Sequence, residues 1–201
     1  MFYYLEGNIT VIEAGIAVVD IGGVGYCCYT TANTLSFLEV GKKARLYTYC
    51  NIKEDTFDIY GFHDLSEKRC FELLLSVSGV GPKAALSILS SASPEGLAMA
   101  IVTDNDKILT SAPGVGKRIA QRIILELKDK MSKETSAMKG SGFVLPTSDS
   151  GTVGNKINDV SAALTVLGYS SAEISSALRG IATEQLTVEE IIKEILRNTM
   201  K

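Results

Sequence analysis

The spacing of hydrophobic positions changes near residue 64 and separates a β-rich segment from a helical one. Before that point, short runs rich in Val, Ile, Tyr, Thr and Phe alternate with turn signals such as Gly22-Gly23-Val24-Gly25, a pattern that favours strands. The predicted strands cover residues 2–12, 16–21, 26–31, 44–50 and 57–60. Because closure removes the exposed edges of a small sheet, five short strands predict an OB-like barrel over residues 1–63.

After residue 64, apolar residues recur at helical spacing. Asp64-x-x-Glu67 resembles a capping box at the start of the first helix. Further helices are predicted from Ser93-Pro94 through Ile101, over residues 106–111, and from Lys117 to about Met131. Residues 64–133 therefore form an all-helical middle domain.

Within this domain one short phrase occurs twice, as Ser78-Gly79-Val80-Gly81-Pro82-Lys83 and as Pro113-Gly114-Val115-Gly116-Lys117-Arg118. The two copies lie 35 residues apart and each separates two helical runs. Glycine permits the positive φ of a tight turn, and the amides at the start of the following helix favour an anion. The repeat therefore predicts two phosphate-binding turns.

The C-terminal third begins with a segment rich in Ser, Thr, Gly and Lys, which by composition is a flexible linker over residues 134–155. Apolar periodicity returns in residues 156–201 and predicts three helices, over residues 158–167, from Ser170 to Ile181, and from Thr187 to Asn198. The predicted fold class is thus α+β and multidomain: an OB-like barrel, a helical domain with a tandem repeat, a linker and a three-helix module.

Charge is distributed unevenly along a chain whose formal net charge is −3. Residues 1–65 carry −4, residues 66–133 carry +3 and residues 134–201 carry −2, so only the segment with the repeated phrase is basic. Basic side chains just after the glycine turns would meet an anion there. The candidate phosphate-binding residues are Gly79, Gly81, Lys83, Gly114, Gly116, Lys117, Arg118 and Arg122.

Composition argues against a membrane span, secretion and a zinc site. An apolar run of membrane-spanning length and a secretory leader pattern are both lacking, so a cytoplasmic address is expected. The four cysteines form no C-x-x-C pair and are expected to be reduced thiols, and a single histidine makes a Cys/His zinc site unattractive. We therefore expect no metal and no cofactor.

The repeated phrase is typical of paired helix-hairpin-helix elements that hold the DNA backbone, although two ordinary helix-to-helix turns would have the same pattern. Such contacts position a protein on DNA without reading bases. A nucleotide-binding P-loop is not present around Gly116-Lys117, because the required second glycine and Ser or Thr are missing.

Three alternatives remain open at this point. The carboxylates of Glu54, Asp55, Asp58 and Asp64 could serve a nuclease, but they do not form a convergent metal-ligand set. A DNA-repair enzyme anchored by the hairpins would need a catalytic Lys or Asp in its groove. An RNA-binding barrel could stack bases on Tyr26, Tyr29, Tyr47 and Tyr49.

Glu54 and Asp55 are adjacent in the turn between the last two predicted strands. Two carboxylates at a hairpin tip would repel a DNA backbone, although a solvated acidic turn would look the same in sequence.

Taken together, these features resemble the RuvA family, over essentially the whole chain. The motifs that carry the resemblance are Leu5-Glu6-Gly7, Ile21-Gly22-Gly23-Val24-Gly25-Tyr26, Lys53-Glu54-Asp55, Tyr60-Gly61-Phe62, the two glycine phrases, Glu126-Leu127-Lys128-Asp129, Ala162-Ala163-Leu164 and Leu167-Gly168-Tyr169. One departure is Phe2-Tyr3-Tyr4, which stands where small or basic residues are expected.

The resemblance implies a non-enzymatic subunit that binds four-way DNA junctions as a homotetramer or as two stacked tetramers. It implies that Glu54 and Asp55 form an acidic pin at the crossover. It also implies that the C-terminal module recruits a hexameric ATPase of the RuvB type, and that a junction resolvase of the RuvC type is a further partner. The candidate motor-contact residues are Leu167, Tyr169, Leu178 and Ile181.

Overall fold

The computed structural model describes residues 1–137, 152–167, 169–179, 181, 183 and 186–199. Five strands come first in the chain, and all helices but one follow them. The strands are β1 (Tyr4–Glu13), β2 (Ile16–Ile21), β3 (Val24–Tyr29), β4 (Lys43–Ile52) and β5 (Phe57–Phe62). The helices are α1 (Ala32–Ser36), α2 (Leu65–Leu75), α3 (Pro82–Ser91), α4 (Pro94–Val102), α5 (Asp106–Thr110), α6 (Lys117–Ala137), α7 (Thr152–Val166), α8 (Ser171–Leu178) and α9 (Val188–Thr199).

The strands close into a barrel with the order β1-β2-β3-β5-β4, which confirms the predicted OB-like barrel. Neighbouring strands are antiparallel except β3 and β5, which pair in parallel through Cys28 with Ile59 and Tyr29 with Tyr60. Gly7 is required where β1 turns to pair with both β2 and β4, because a Cβ atom there would overlap the carbonyl oxygen of Asp20. The hydrophobic interior holds the barrel together.

Helix α1 between β3 and β4 was not predicted. It has only five residues, of which Asn, Thr and Ser are weak helix formers, and it is too short to show an apolar period. Its start is fixed locally, since the side chain of Thr31 accepts a hydrogen bond from the amide of Thr34.

Two helices continue into the segment that we predicted to be a linker. Helix α6 runs to Ala137 instead of about Met131, and α7 begins at Thr152 instead of residue 158. Backbone hydrogen bonds and helix-forming residues such as Lys133 and Glu134 can extend a helix without an apolar face, so composition alone misplaced both ends. The predicted linker residues 138–151 lie outside the described residues.

A buried carboxylate joins the barrel to the helices. Glu67 of α2 is fully buried, and it accepts hydrogen bonds from the hydroxyls of Thr31 and Thr34, each with an O···O distance of 2.5 Å. The amide side chain of Asn33 donates to the same carboxylate at 3.3 Å. Asp64 caps α2 as predicted by accepting from the amide of Glu67. The side chain of Glu67, however, does not complete a capping box, since it reaches α1 instead.

Aromatic packing beside this carboxylate continues the joint. The ring of Phe71 lies 5.1 Å from that of Tyr60 and 4.9 Å from that of Phe62, measured between centroids. The hydrophobic core that begins at these β5 residues extends through the middle helices into the C-terminal module. There α7 packs on α4 and α6, and α9 packs on α4 and α7.

The last two helices begin where the sequence predicted. Ser170 with Glu173, and Thr187 with Glu190, each form a complete capping box. In each, the hydroxyl of the Ser or Thr accepts from the amide of the Glu, and the carboxylate of the Glu accepts from the amide of the Ser or Thr. No single described helix is both long and apolar enough to cross a membrane, and α3 with α4 reaches that length and composition only as a pair bent by 96°.

Replacing Glu67 by alanine leaves the hydroxyls of Thr31 and Thr34 without their acceptor in the interior. We expect a loss of about 2–4 kcal/mol in the free energy of unfolding, since each buried unsatisfied group costs roughly 1–3 kcal/mol. Urea denaturation measures this loss. Glu72→Ala changes an exposed carboxylate of the same helix and is the control, with an expected change below about 0.5 kcal/mol.

The carboxyl of Glu67 also makes the free energy of unfolding depend on pH. Burial raises the pKa of Glu67, although hydrogen bonds from Thr31 and Thr34 oppose that shift. A carboxyl whose pKa is higher in the folded chain binds its proton more tightly there, so it loses stabilising effect as pH rises from about 4.5 upward. Glu67→Gln should therefore flatten the wild-type decline in this range, and an unchanged pH profile would contradict the burial argument.

Candidate nucleic-acid interface

The first glycine turn, residues 76–81, connects α2 to α3 in a tight reversal. Gly79 has a φ of +87°, and the amide of Val80 donates to the carbonyl oxygen of Val77 at 3.1 Å. Val80 is buried between the two exposed glycines and anchors the turn to the core. Gly81 is the N-cap of α3, and no side chain forms a capping hydrogen bond at the start of that helix.

The second glycine turn, residues 111–116, repeats this geometry between α5 and α6. Gly114 has a φ of +83°, Val115 is buried, and the amide of Val115 donates to the carbonyl oxygen of Ala112 at 3.1 Å. In both copies the second glycine accepts from the amide four residues later, at 3.0 Å. The internal repeat is thus a repeat of backbone structure as well as of sequence.

The two glycines of a turn have different roles. Within these two turns, only Gly79 and Gly114 have a positive φ, a conformation that residues with side chains adopt only under strain. Gly81 has a φ of −95°, which any residue tolerates. A Cβ atom at Gly81 or Gly116 would meet no protein atom within 4 Å. These second glycines therefore keep the helix starts open toward solvent.

Three of the predicted basic residues lie free at these openings. Lys83, Lys117 and Arg118 occupy the first turns of α3 and α6 and are exposed. None of them forms an ion pair with another part of the chain that the structure describes. Their charges add to the positive end of each helix dipole, so both openings favour an anion.

Arg122 lies elsewhere. We predicted it beside the second glycine turn, but its guanidinium donates to the carbonyl oxygen of Ser78 in the first turn, at 3.2 Å. Glu126 accepts from the amide of Ser78 at 3.2 Å and lies 3.7 Å from the guanidinium of Arg122. Our sequence reasoning named Glu126 only within a motif of the family resemblance and gave it no role at the turn, although its spacing of four residues from Arg122 was an available signal.

The acidic hairpin, residues 53–56, connects β4 to β5. The amide of Lys53 donates to the carbonyl oxygen of Thr56 at 2.8 Å and closes the turn. Glu54 and Asp55 are exposed at its tip, and no basic side chain among the described residues pairs with them. The tip therefore presents two carboxylates directly to solvent.

The four candidate motor-contact residues lie against the helical core. Leu167 and Tyr169 are buried, and Leu178 and Ile181 are partly buried. The guanidinium of Arg69 on α2 lies 4.9 Å from the ring centroid of Tyr169, in a cation–π contact. Burial raises the pKa of Tyr169. In this arrangement these four residues pack within the chain.

One group of possible metal ligands occurs among the described residues. Ligand atoms of His63, Asp64 and Glu67 lie within 4.8 Å of one another. The oxygens of Glu67 are already acceptors for Thr31 and Thr34, and one oxygen of Asp64 accepts from Ser66 and from the amide of Glu67. These carboxylates serve the joint between barrel and helices, so the group is structural.

Comparison with known families divides the chain into the same three parts. Residues 1–61 match the model of the RuvA N terminal domain. Residues 71–129 match the SAM-like helix-hairpin-helix tandem, and residues 155–200 match the RuvA C-terminal domain.

Similarity to individual proteins extends over the full length. A protein of Acetivibrio thermocellus is 44% identical over 98% of each chain. Proteins of Caldanaerobacter subterraneus subsp. tengcongensis and of Clostridium perfringens are 41% and 37% identical over 100% of each chain. All three are named Holliday junction branch migration complex subunit RuvA. With this identity, the barrel and the paired glycine turns, the chain belongs to the RuvA family.

Proposed function

We propose that this chain binds four-way DNA junctions through their backbone phosphates, independently of base sequence. The observation that carries the proposal is the pair of matched glycine turns, each opening a helix start beside the exposed Lys83 or Lys117. The relatives named above are subunits of a Holliday junction branch migration complex, which supports a junction as the DNA form.

Each glycine turn would bind one phosphate of a duplex arm. Backbone amides at the start of α3 and α6 would donate to its oxygens, and Lys83, Lys117 and Arg118 would supply positive charge. A contact of this kind positions a duplex and carries no base specificity. Selectivity for a junction would then come from assembly, since four copies with four-fold symmetry offer one pair of turns to each of four arms.

The acidic hairpin supplies the complementary element of the proposal. Carboxylates of Glu54 and Asp55 would repel phosphates that approach the centre and favour strands that separate there. The chain would act as a scaffold without chemistry of its own. Its C-terminal module would recruit a separate ATPase of the RuvB type, and the other face of the junction would remain open to a RuvC-type resolvase.

Binding to a four-way junction, in competition with linear duplex of equal length, tests the proposal directly. Wild type should prefer the junction, and equal affinity for both would contradict junction recognition. Lys83→Ala combined with Lys117→Ala should weaken junction binding by about thirtyfold for each chain bound, for two contacts of roughly 1 kcal/mol each. The slope of log affinity against log salt should also become shallower by about two for each chain bound, because roughly one counterion is released per phosphate contact.

A matched control removes the same charge elsewhere. Lys156→Ala combined with Lys193→Ala changes two lysines of the C-terminal module. This variant should retain the wild-type salt slope. If both double variants lose affinity equally, net charge and not the glycine turns determines binding.

Glycine substitutions separate the fold of a turn from its proposed contact with phosphate. Gly81→Ala with Gly116→Ala meets open space in the protein, so the free energy of unfolding should change by less than about 1 kcal/mol per site. The added methyl groups would stand where the phosphate approaches, and junction affinity should fall. Gly79→Ala should instead destabilise the chain by about 1–2 kcal/mol, because its φ is +87°. Urea denaturation and fluorescence anisotropy measure the two effects, and unaltered binding by the first variant would exclude contact at the helix starts.

Neutralising the acidic hairpin tests its repulsive role. Glu54→Gln with Asp55→Asn should leave junction binding intact or tighter, because two negative charges near DNA are removed. Branch migration with the ATPase present should change in rate. Glu13→Gln with Glu39→Gln neutralises two other exposed carboxylates of the barrel domain and is the control. Wild-type migration by the hairpin variant would remove the acidic hairpin from the mechanism.

A further inference from the structure

Each glycine turn is held by a side chain from the other repeat. The hydroxyl of Ser87 on α3 donates to the carbonyl oxygen of Pro113, at 2.8 Å. The guanidinium of Arg122 on α6 donates to the carbonyl oxygen of Ser78, at 3.2 Å. The offset of 35 residues that relates the repeats maps Ser78 onto Pro113 and Ser87 onto Arg122. The two hydrogen bonds therefore occupy equivalent positions, and each joins a helix of one repeat to the glycine turn of the other.

We call these two hydrogen bonds, from Ser87 to Pro113 and from Arg122 to Ser78, the braces. They differ because the two residues that accept them differ in chemistry. Ser78 has both an amide and a carbonyl, and the Arg122–Glu126 pair satisfies both of them. Pro113 has no amide hydrogen, so only its carbonyl can be held. A single hydroxyl donor at position 87 is sufficient for that purpose.

Both hydrogen bonds lie directly beside the glycines at which the chain reverses. Ser78 and Pro113 directly precede Gly79 and Gly114, the residues at which each chain reversal occurs. A hydrogen bond at that carbonyl fixes where the following turn lies relative to the opposite helix. Both braces together fix the distance and orientation between the two helix starts.

We propose that Ser87 and Arg122 are positioning residues, which set the spacing of the two phosphate-binding turns so that both engage one duplex arm together. This inference rests on the proposed function. Two contacts held in a fixed geometry bind with little further loss of freedom, whereas two independently moving turns must each be ordered on binding. The braces thus convert two weak contacts into one bidentate grip on the backbone.

Ser87 gives the cleaner test, because its replacement changes no charge. Ser87→Ala removes the donor to Pro113, and Ser87→Thr restores a hydroxyl at the same position. Ser91→Ala is the matched control, since Ser91 is an exposed serine of the same helix whose hydroxyl donates only to the carbonyl of Ser87, within α3. Both hydroxyls are near the surface, so the melting temperature of each of the three variants should shift by no more than a few degrees.

Fluorescence anisotropy with a labelled four-way junction, measured over a series of salt concentrations, is the decisive experiment. For each chain bound, Ser87→Ala should weaken binding about five- to tenfold and make the salt slope shallower by about one, as each chain loses one phosphate contact. Ser87→Thr should restore both values, and Ser91→Ala should match wild type. Wild-type affinity and slope in Ser87→Ala would overturn the inference.

Arg122 provides a second, independent variant. Arg122→Lys keeps the positive charge but cannot reproduce the planar pairing with both Ser78 and Glu126. If Arg122 is a positioning residue, this variant should show the same shallower slope as Ser87→Ala. A wild-type slope would assign Arg122 a role through its charge alone and overturn its positioning role. Failure of the wild-type chain to prefer a junction over duplex would refute the proposed function itself, which the brace variants leave untouched.

Discussion

The carboxylate of Glu67 fixes how the barrel and the helical domain are joined. It is fully buried and ends among donors from α1, a helix that belongs to the barrel domain. A polar group in such a place is tolerated only with its partners in position, so the contact permits few alternative arrangements of α2 on the barrel. Phe71 one turn later packs on Tyr60 and Phe62 of β5. Since β5 also forms one side of the acidic hairpin, the same joint determines where that hairpin stands relative to the glycine turns.

The helical domain builds its symmetry from ordinary parts. Val80 and Val115 anchor the two turns in one core, while the glycines beside them stay exposed. Burial of the central valine and exposure of its neighbours hold each loop rigidly without filling the helix start. Stability therefore comes from the buried valine beneath each turn, while the helix start that we propose as the phosphate contact stays open to solvent.

Much of this structure could be predicted because local chemistry dictated it. Strand composition gave the barrel, and a positive φ is needed at Gly79 and Gly114 whatever surrounds them. Long-range partners could not be predicted. Asp64-x-x-Glu67 has the spacing of a capping box, but spacing does not reveal that the carboxylate of Glu67 prefers threonines more than 30 residues away. Ser87 is likewise an unremarkable helical serine until Pro113 is seen beside it. The repeat offset of 35 residues relates Ser87 to Arg122, so either contact predicts the other, but only once one of them is known.

The packing of the C-terminal module constrains how it could recruit a motor. Leu167 and Tyr169 lie in the core that the module shares with the helical domain, and Arg69 of α2 covers the ring of Tyr169. A partner that used these residues would have to displace the module from α2 and expose apolar surface before gaining any contact. The outer face of α9, with Glu189, Glu190 and Lys193, is already exposed and requires no such step. Recognition through this charged face would leave the helical core intact, whereas recognition through Tyr169 would couple motor binding to release of the module from the domain that carries the glycine turns.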